Sequence, residues 1–198
     1  MRVRELVGRH EADWGRATRH PFLDGVRDGT LSAAAFDGWL VQDYLFVGEL
    51  LRFQARLLSR AGRGAQEPLA AGLVALAAEL SWFTDQATRR GLDLGAAPRP
   101  ATVAYLELLG RLDTADVAVG LAMLWVIERV YLEAWSYAAP GAPGYDEFVA
   151  HWTAPGFAGY VRALELAADE ALREHELDAV FTDVVAAECR FWQMALDS

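Results

Sequence analysis

The chain has 198 residues, with 28 acidic against 18 basic side chains, and every basic one is an arginine, giving a formal net charge of −10. Such a balance argues against a nucleic-acid partner. The single cysteine, Cys189, excludes an intrachain disulfide and speaks against a thiolate metal cluster.

The histidines His10, His20, His151 and His175 are scattered, and none has a glutamate three residues before it, so a di-iron site of the Glu-x-x-His kind finds no support. Hydrophobic residues make up 54% of the chain, which points to helices buried on more than one face or to a subunit interface. No apolar run reaches the roughly 20 residues of a membrane span, because Asp43, Glu49, Glu79, Glu107, Glu128 and Glu133 interrupt the greasy stretches. Met1-Arg2-Val3-Arg4-Glu5 has no apolar signal-peptide core, and the expected location is cytoplasmic. With no internal linker, residues 1–198 read as a single domain.

In chain order, residues 3–17 predict a first amphipathic helix. Pro21 suits a helix first turn and Gly29 a helix stop, giving a short second helix. His20 before it either lines a site or bonds locally. Ser32 is a good N-cap for a long helix with the stripe Phe36, Trp39/Leu40, Asp43, Phe46/Val47, Leu50, Phe53/Gln54, Leu57. A further helix is expected over residues 67–90, with Leu73, Leu76, Leu80 and Phe83 on one face, solvated polar positions, and a stop at Gly91. Residues 96–100 read as a loop and residues 102–111 as a short helix in which Tyr105 is either a core tyrosine or a pocket hydroxyl.

Thr114 is a candidate N-cap for a long helix over residues 115–138 with the stripe Leu121, Leu124/Trp125, Glu128, Tyr131/Leu132, Trp135. Its opposite face, Val126, Val130 and Tyr137, is also apolar, so this helix is expected at the centre of the fold. Pro140 and Pro143 end it. A short helix over residues 145–152 follows, then one over residues 155–174 capped by Thr153, and a strongly charged, solvated stretch at residues 167–176. A last helix, residues 177–195, carries the stripe Leu177, Phe181, Val184, Glu188, Phe191/Trp192, Ala195. No strand-like alternation occurs, so the class is all-α, a bundle of about 8–9 helices. Phosphate-binding glycine loops are absent.

Three acids, Asp43, Glu128 and Glu188, thus occupy positions where helical periodicity predicts core hydrophobes. An unpaired carboxylate is costly to bury. Each acid therefore lies at the edge of its stripe, pairs with an arginine such as Arg129 or Arg190, or faces a shared polar cavity. Such a cavity, ringed by Tyr, Trp and Phe, suits a flat, nitrogen-rich heterocycle that stacks on aromatic rings and hydrogen-bonds to acids. Acids of different pKa also move protons.

The run His20-Pro21-Phe22-Leu23, Gly25, Asp28-Gly29-Thr30-Leu31, Phe36, Gln42-Asp43-Tyr44-Leu45 resembles the signature of the TenA family, thiaminase II-like proteins with a haem-oxygenase-like helical fold. The ending Glu188, Phe191-Trp192, Met194-Ala195 is similar to the same family's C-terminal motif, and the resemblance covers about residues 20–195. It implies hydrolysis in thiamine salvage, releasing ammonia from an aminomethylpyrimidine. It also implies that Asp43 binds the aminopyrimidine, Tyr105 is a pocket tyrosine, and Glu188 is the C-terminal acid/base.

One branch of the family carries a nucleophilic cysteine where this chain has Met123, two residues before Trp125, and pocket tyrosines where it has Phe46, Ile127 and Trp152. The chain resembles instead the cysteine-less branch, in which a glutamate takes over, and the aminopyrimidine and its N-formyl derivative are the implied substrates. Glu128 is preferred over Glu133 for that glutamate because it lies in the stripe. Cys189, about 100° around the helix from Glu188, is no substitute nucleophile.

The implied catalytic set is Asp43, Glu128 and Glu188. The implied substrate-binding set is Asp43, Tyr105, Phe46, Tyr44, Trp125, Trp152 and Phe22. The expectation is a hydrolase without metal or cofactor, with a small pyrimidine as partner, no nucleic acid or membrane, and a homotetramer by resemblance. Alternatives on the same fold are a non-catalytic heterocycle-binding protein and a haem or metal oxygenase with His10 or His20 as ligand. Transcriptional control has no support in an acidic chain without a DNA-reading motif.

Overall fold

A computed structural model describes residues 2–172 and 177–197. Ten helices follow one another among them: α1 (Val3–Arg9), α2 (Glu11–Thr18), α3 (Pro21–Asp28), α4 (Ala33–Arg60), α5 (Arg63–Arg90), α6 (Pro100–Asp113), α7 (Val117–Ala138), α8 (Asp146–Trp152), α9 (Pro155–Ala171) and α10 (Asp178–Leu196). The all-α expectation holds. The expected first helix is broken at His10, whose backbone leaves helical geometry while its Nε2 lies 2.7 Å from Asp178 Oδ1 on α10. The end of the helix expected to run to residue 174 and the last part of the charged stretch expected at residues 167–176, residues 173–176, lie outside the described residues, while in its first part Ala167, Ala168 and Leu172 are buried rather than solvated.

Several boundaries follow from the side chains that satisfy them. Pro21 and Pro100 open α3 and α6 in the first turn, where a missing N–H costs nothing. Gly29 and Gly91 close α3 and α5 with φ of 73° and 67°, a left-handed turn that glycine adopts without a Cβ clash. Ser32 Oγ accepts from Ala35 N at 3.1 Å, as expected of the α4 N-cap.

Two capping expectations and one helix start change. Asp116, not Thr114, caps α7, its Oδ1 accepting from Ala118 N at 2.8 Å, and Thr114 bonds back to the Arg111 carbonyl. Thr153 likewise bonds back to the Val149 carbonyl, and Pro155 sets the start of α9. Helix α5 starts four residues before the expected Glu67 and runs through Pro68, since a proline near a helix N-terminus removes only one backbone bond and its fixed φ is helical.

Helix α7 lies at the centre. Fifteen of its residues are buried, including Leu121, Leu124, Val126, Val130 and Trp135, and α2, α3, α4, α6, α8, α9 and α10 all pack against it. One hydrophobic cluster runs from Val3 to Ala195. An aromatic slab forms part of it: Phe22 stacks on Trp192 (5.2 Å, 24°), Trp192 on Tyr131 (5.5 Å, 27°), and Trp135 on Trp152 (4.5 Å, 27°). Offset stacks of this kind add about 0.5–1.5 kcal/mol each beyond area burial, and they fix the rings that border the cavity. Among the described residues no helix is long and apolar enough to cross a membrane.

Candidate active site

Helices α4, α5, α7, α8 and α9 enclose a cavity of about 520 Å³. Its polar walls are three carboxylates, Asp43, Glu79 and Glu128, the hydroxyls of Tyr131 and Tyr160, and His151. Phe46, Trp82, Trp152 and Phe157 supply aromatic faces, and no arginine is among the lining residues. The Trp82 and His151 rings stack with centroids 4.0 Å apart and planes 2° from parallel.

The backbone of α4 puts Asp43 in the wall, and the neighbouring residue explains how that wall is held. Gln42 is buried, and its Oε1 accepts from Arg99 N (2.8 Å) and Thr102 Oγ1 (2.6 Å) while its Nε2 donates to the Ala97 carbonyl (3.2 Å). These bonds dock the start of α6 against α4 and so carry Tyr105 inward. Tyr105 Oη then donates to Glu188 Oε1 at 2.5 Å, and Phe46 packs on the Tyr105 ring at 4.4 Å. Farther along α4, buried Gln54 donates to the Leu69 carbonyl (2.8 Å) and accepts from the Tyr160 hydroxyl (3.0 Å), which orients that hydroxyl on α9.

Asp43 and Glu128 face the same cavity, whereas Glu188 does not line it and lies behind the wall, close enough to repel both. Asp43 and Glu188 are 0% exposed and Glu128 6%. Neither Asp43 oxygen, nor Glu128 Oε1, nor Glu188 Oε2 has a partner at good hydrogen-bond geometry, although the Tyr131 and Tyr160 hydroxyls lie near enough to Asp43 and Glu128 to interact with them weakly. Arg129 pairs with Glu133, not with Glu128. Burial is the largest influence on each acid. It raises Asp43 well above the ordinary carboxylate range, the Tyr131 hydroxyl opposing it in part while Glu79, Glu188 and Glu128 add repulsion. Burial lifts Glu128 to about 8, with repulsion from Glu79 and then Glu188 adding to it. Burial also lifts Glu188 to about 8 against the opposing bond from Tyr105. Near neutral pH the site therefore holds mostly protonated carboxyls, ready either to donate a proton or to ionise beside a cation.

The remaining sequence-predicted residues divide. Phe46 and Trp152 line the cavity, and so does Ile127 in place of a hydroxyl. Tyr105 does not line it, because its hydroxyl is occupied by Glu188, and the two form a buried pair beside the wall. Phe22, Tyr44 and Trp125 are not at the wall either. Phe22 supports it through Trp192 and Tyr131, Tyr44 meets Phe83 edge-on at 6.2 Å, and Trp125 is core with its indole N–H unpartnered.

His20 takes the local role, its Nδ1 accepting from Phe22 N at 3.2 Å as the α3 cap, and neither His10 nor His20 lines the cavity. Among the described residues, no three His, Cys, Asp or Glu side chains group to hold a metal ion. Cys189 lies outside the cavity, and burial, assisted by Glu188, pushes its thiol up to about 11. Met123 is fully buried.

Sequence reasoning missed Glu79, Tyr131, Tyr160, Trp82 and His151 as wall residues. The signal for Glu79 was present. The buried face of α5 runs Leu69, Gly72, Leu76, Phe83, Gln86, and Glu79 falls between Leu76 and Phe83 at the same spacing. The stripe drawn through Leu73 and Leu80 was rotated by about one position and left Glu79 on the solvated side.

Fold and site together define a helical bundle with a small-molecule cavity that is aromatic-walled and carboxylate-lined. The chain belongs to the TENA/THI-4/PQQC family, whose profile matches residues 8–198. It is 32% identical to a probable bifunctional TENA-E protein of Glycine max over 94% of this chain and 90% of that one. It is 25% identical to an aminopyrimidine aminohydrolase of Halalkalibacterium halodurans, over 92% and 89% respectively. Among solved structures, a TenA homologue from Pyrococcus furiosus superposes with a TM-score of 0.93 at 28% identity, covering 98% of this chain and all of that one. The fold is the haem-oxygenase-like helical fold of these neighbours.

Proposed function

We propose that this chain is a hydrolase of thiamine-pyrimidine salvage. Its substrates are 4-amino-5-aminomethyl-2-methylpyrimidine, which it deaminates, and the N-formyl derivative, which it deformylates. The observation that carries the reading is the group of buried carboxylates with unpartnered oxygens at an aromatic-walled cavity. Such oxygens need a ligand with several N–H groups on a flat ring. The relatives described as an aminopyrimidine aminohydrolase and a probable bifunctional TENA-E protein support the same substrate class.

In this reading Asp43 pairs with the aminopyrimidine edge, and Phe46 and Trp152 face the ring. Glu188, protonated below about 8 and oriented by Tyr105, gives its proton to the nitrogen that departs, so that the aminomethyl group stands as an ammonium before the carbon–nitrogen bond breaks, while Glu128 in its ionised form takes a proton from the attacking water. For deamination the water oxygen bonds to the methylene carbon as the carbon–nitrogen bond breaks, and ammonia leaves with the donated proton. For deformylation water adds to the formyl carbon, and formate and the amine separate. Tyr105 acts through Glu188 and is a positioning residue. Met123 offers no thiol, and Cys189, outside the cavity, stays protonated near neutral pH. The reading includes residues 1–198 as one domain, a cytoplasmic location and a homotetramer. The homotetramer rests on the family resemblance, and light scattering on the eluting protein tests it.

Incubation with the two pyrimidines and thiamine in parallel, followed by product mass and ammonia release, tests the activity. Turnover of either pyrimidine but not thiamine, reduced roughly 10²- to 10⁴-fold in Glu188→Gln, is expected. Binding of a pyrimidine without turnover would overturn it.

A further inference from the structure

Glu79 has no part in the mechanism above, yet it faces the same cavity. It comes from α5, and its side chain retains 16% exposure because it borders the open space. Trp152 Nε1 donates to Glu79 Oε1 at 2.6 Å, and His151 Nε2 lies 3.8 Å from the same oxygen. The second oxygen is left for a ligand. Glu128 arrives from α7 and is buried, with one carboxylate oxygen unpartnered and its side chain on the cavity wall. Asp43 from α4 adds two more unpartnered oxygens.

The other ionisable groups at this wall are Tyr131 of α7, His151 of α8 and Tyr160 of α9, with Glu188 of α10 close enough to repel Glu128. No basic side chain answers this collection except His151, whose own pKa is lowered by burial. Two acids from separate helices that share one cavity and lack a cationic partner make a receptor for a ligand cation.

We propose that Glu79 and Glu128 form an ammonium-binding pair that holds the protonated aminomethyl nitrogen of the substrate, with Trp152 fixing Glu79 through its indole N–H. This deepens the hydrolase reading and rests on it for the identity of the substrate. The ligand class is an arylmethylammonium. A neutral N-acyl derivative lacks the charge and gains nothing from Glu79.

The test compares wild type with Glu79→Gln and Glu79→Asp on the aminomethyl substrate and on its N-formyl derivative. Charge-assisted hydrogen bonds are worth enough that losing one weakens binding roughly 10- to 100-fold. The expected result is a KM for the amine raised by about that factor in the Gln variant with kcat little changed, the N-formyl KM unmoved, and partial rescue by Asp. Equal loss on both substrates would assign Glu79 a structural role, and no loss on either would remove it from the site. Both outcomes overturn the pair.

A wild type inactive on both pyrimidines would sink the hydrolase reading instead. Calorimetry with benzylammonium against benzyl alcohol then decides the pair by itself. Binding of the cation alone, lost in Glu79→Gln, supports it, and any other pattern overturns it.

Discussion

Replacing Glu188 with Gln keeps the side-chain shape and the bond from Tyr105 but removes the ionisable proton. In the folded protein Glu188 titrates at about 8, chiefly because it is buried, against an ordinary 4.5. A carboxyl raised in this way contributes its full stability below the unfolded value and loses it as pH climbs through the folded one. Each factor of ten in acid strength is about 1.4 kcal/mol, so between pH 5 and pH 8 wild type loses up to about 3 kcal/mol that the Gln variant keeps. Glu128, also at about 8 and repelled by Glu188, shares the site, so the two titrate together and the Gln variant relieves both. Denaturant unfolding followed by tryptophan fluorescence at pH 5, 6.5 and 8 measures this. The two proteins should be nearly equal at pH 5, with the variant ahead by about 1–3 kcal/mol at pH 8. Parallel curves, or a variant less stable at pH 8, would refute the claim that burial holds this acid protonated.

Three other expectations follow from single contacts. Trp152→Phe removes the one N–H donated to Glu79, a bond that holds its pKa down against burial at about 7, so the acid limb of kcat/KM for the amine should move to higher pH. An unmoved limb in the pH–rate profile counts against Glu79 in the site. Gly72→Ala places a methyl against Gln54 Nε2 and the Tyr160 hydroxyl, and the resulting overpacking should destabilise by about 1–3 kcal/mol in denaturant unfolding. A neutral outcome would mean that the Gln54–Tyr160 pair moves freely. Cys189→Ala should keep turnover within about twofold, and wild type should resist thiol alkylation in activity assays, because a thiol at about 11 is little ionised near neutral pH.

Much of this architecture was legible because long amphipathic helices repeat their signal over many turns. Asp43, Glu128 and Glu188 stood out for the same reason, each interrupting a stripe of large hydrophobes, and all three prove to be buried. What failed was either local competition or phase. Thr114 and Thr153 were reasonable caps by type, but both hydroxyls bond back to carbonyls three or four residues earlier, and only the backbone path decides that. The break at His10 depends on Asp178, distant in sequence. Glu79 was lost to a phase error on a helix rich in alanine, where Ala75, Ala77 and Ala78 blur the boundary between buried and solvated faces.

Glu79 matters because of what this chain lacks. Where the resemblance leads one to expect tyrosine hydroxyls, positions 46, 127 and 152 carry Phe, Ile and Trp. Phe46 and Ile127 offer the cavity no polar group. Trp152 turns its indole N–H onto Glu79. Hydroxyls are supplied instead by Tyr131, one turn beyond Ile127 on α7, and by Tyr160 from α9, held by Gln54. The polar character of the wall is thereby moved toward α5 and α9, and its charge toward carboxylates. A thiol nucleophile would need a nearby base and a polarising environment to ionise. Burial and a neighbouring acid do the opposite, as at Cys189 outside the cavity, where burial chiefly and Glu188 next push the thiol up. Carboxylates that repel one another and have no arginine among them are relieved by a ligand that brings a positive charge, and a pyrimidine bearing a free aminomethyl group brings one.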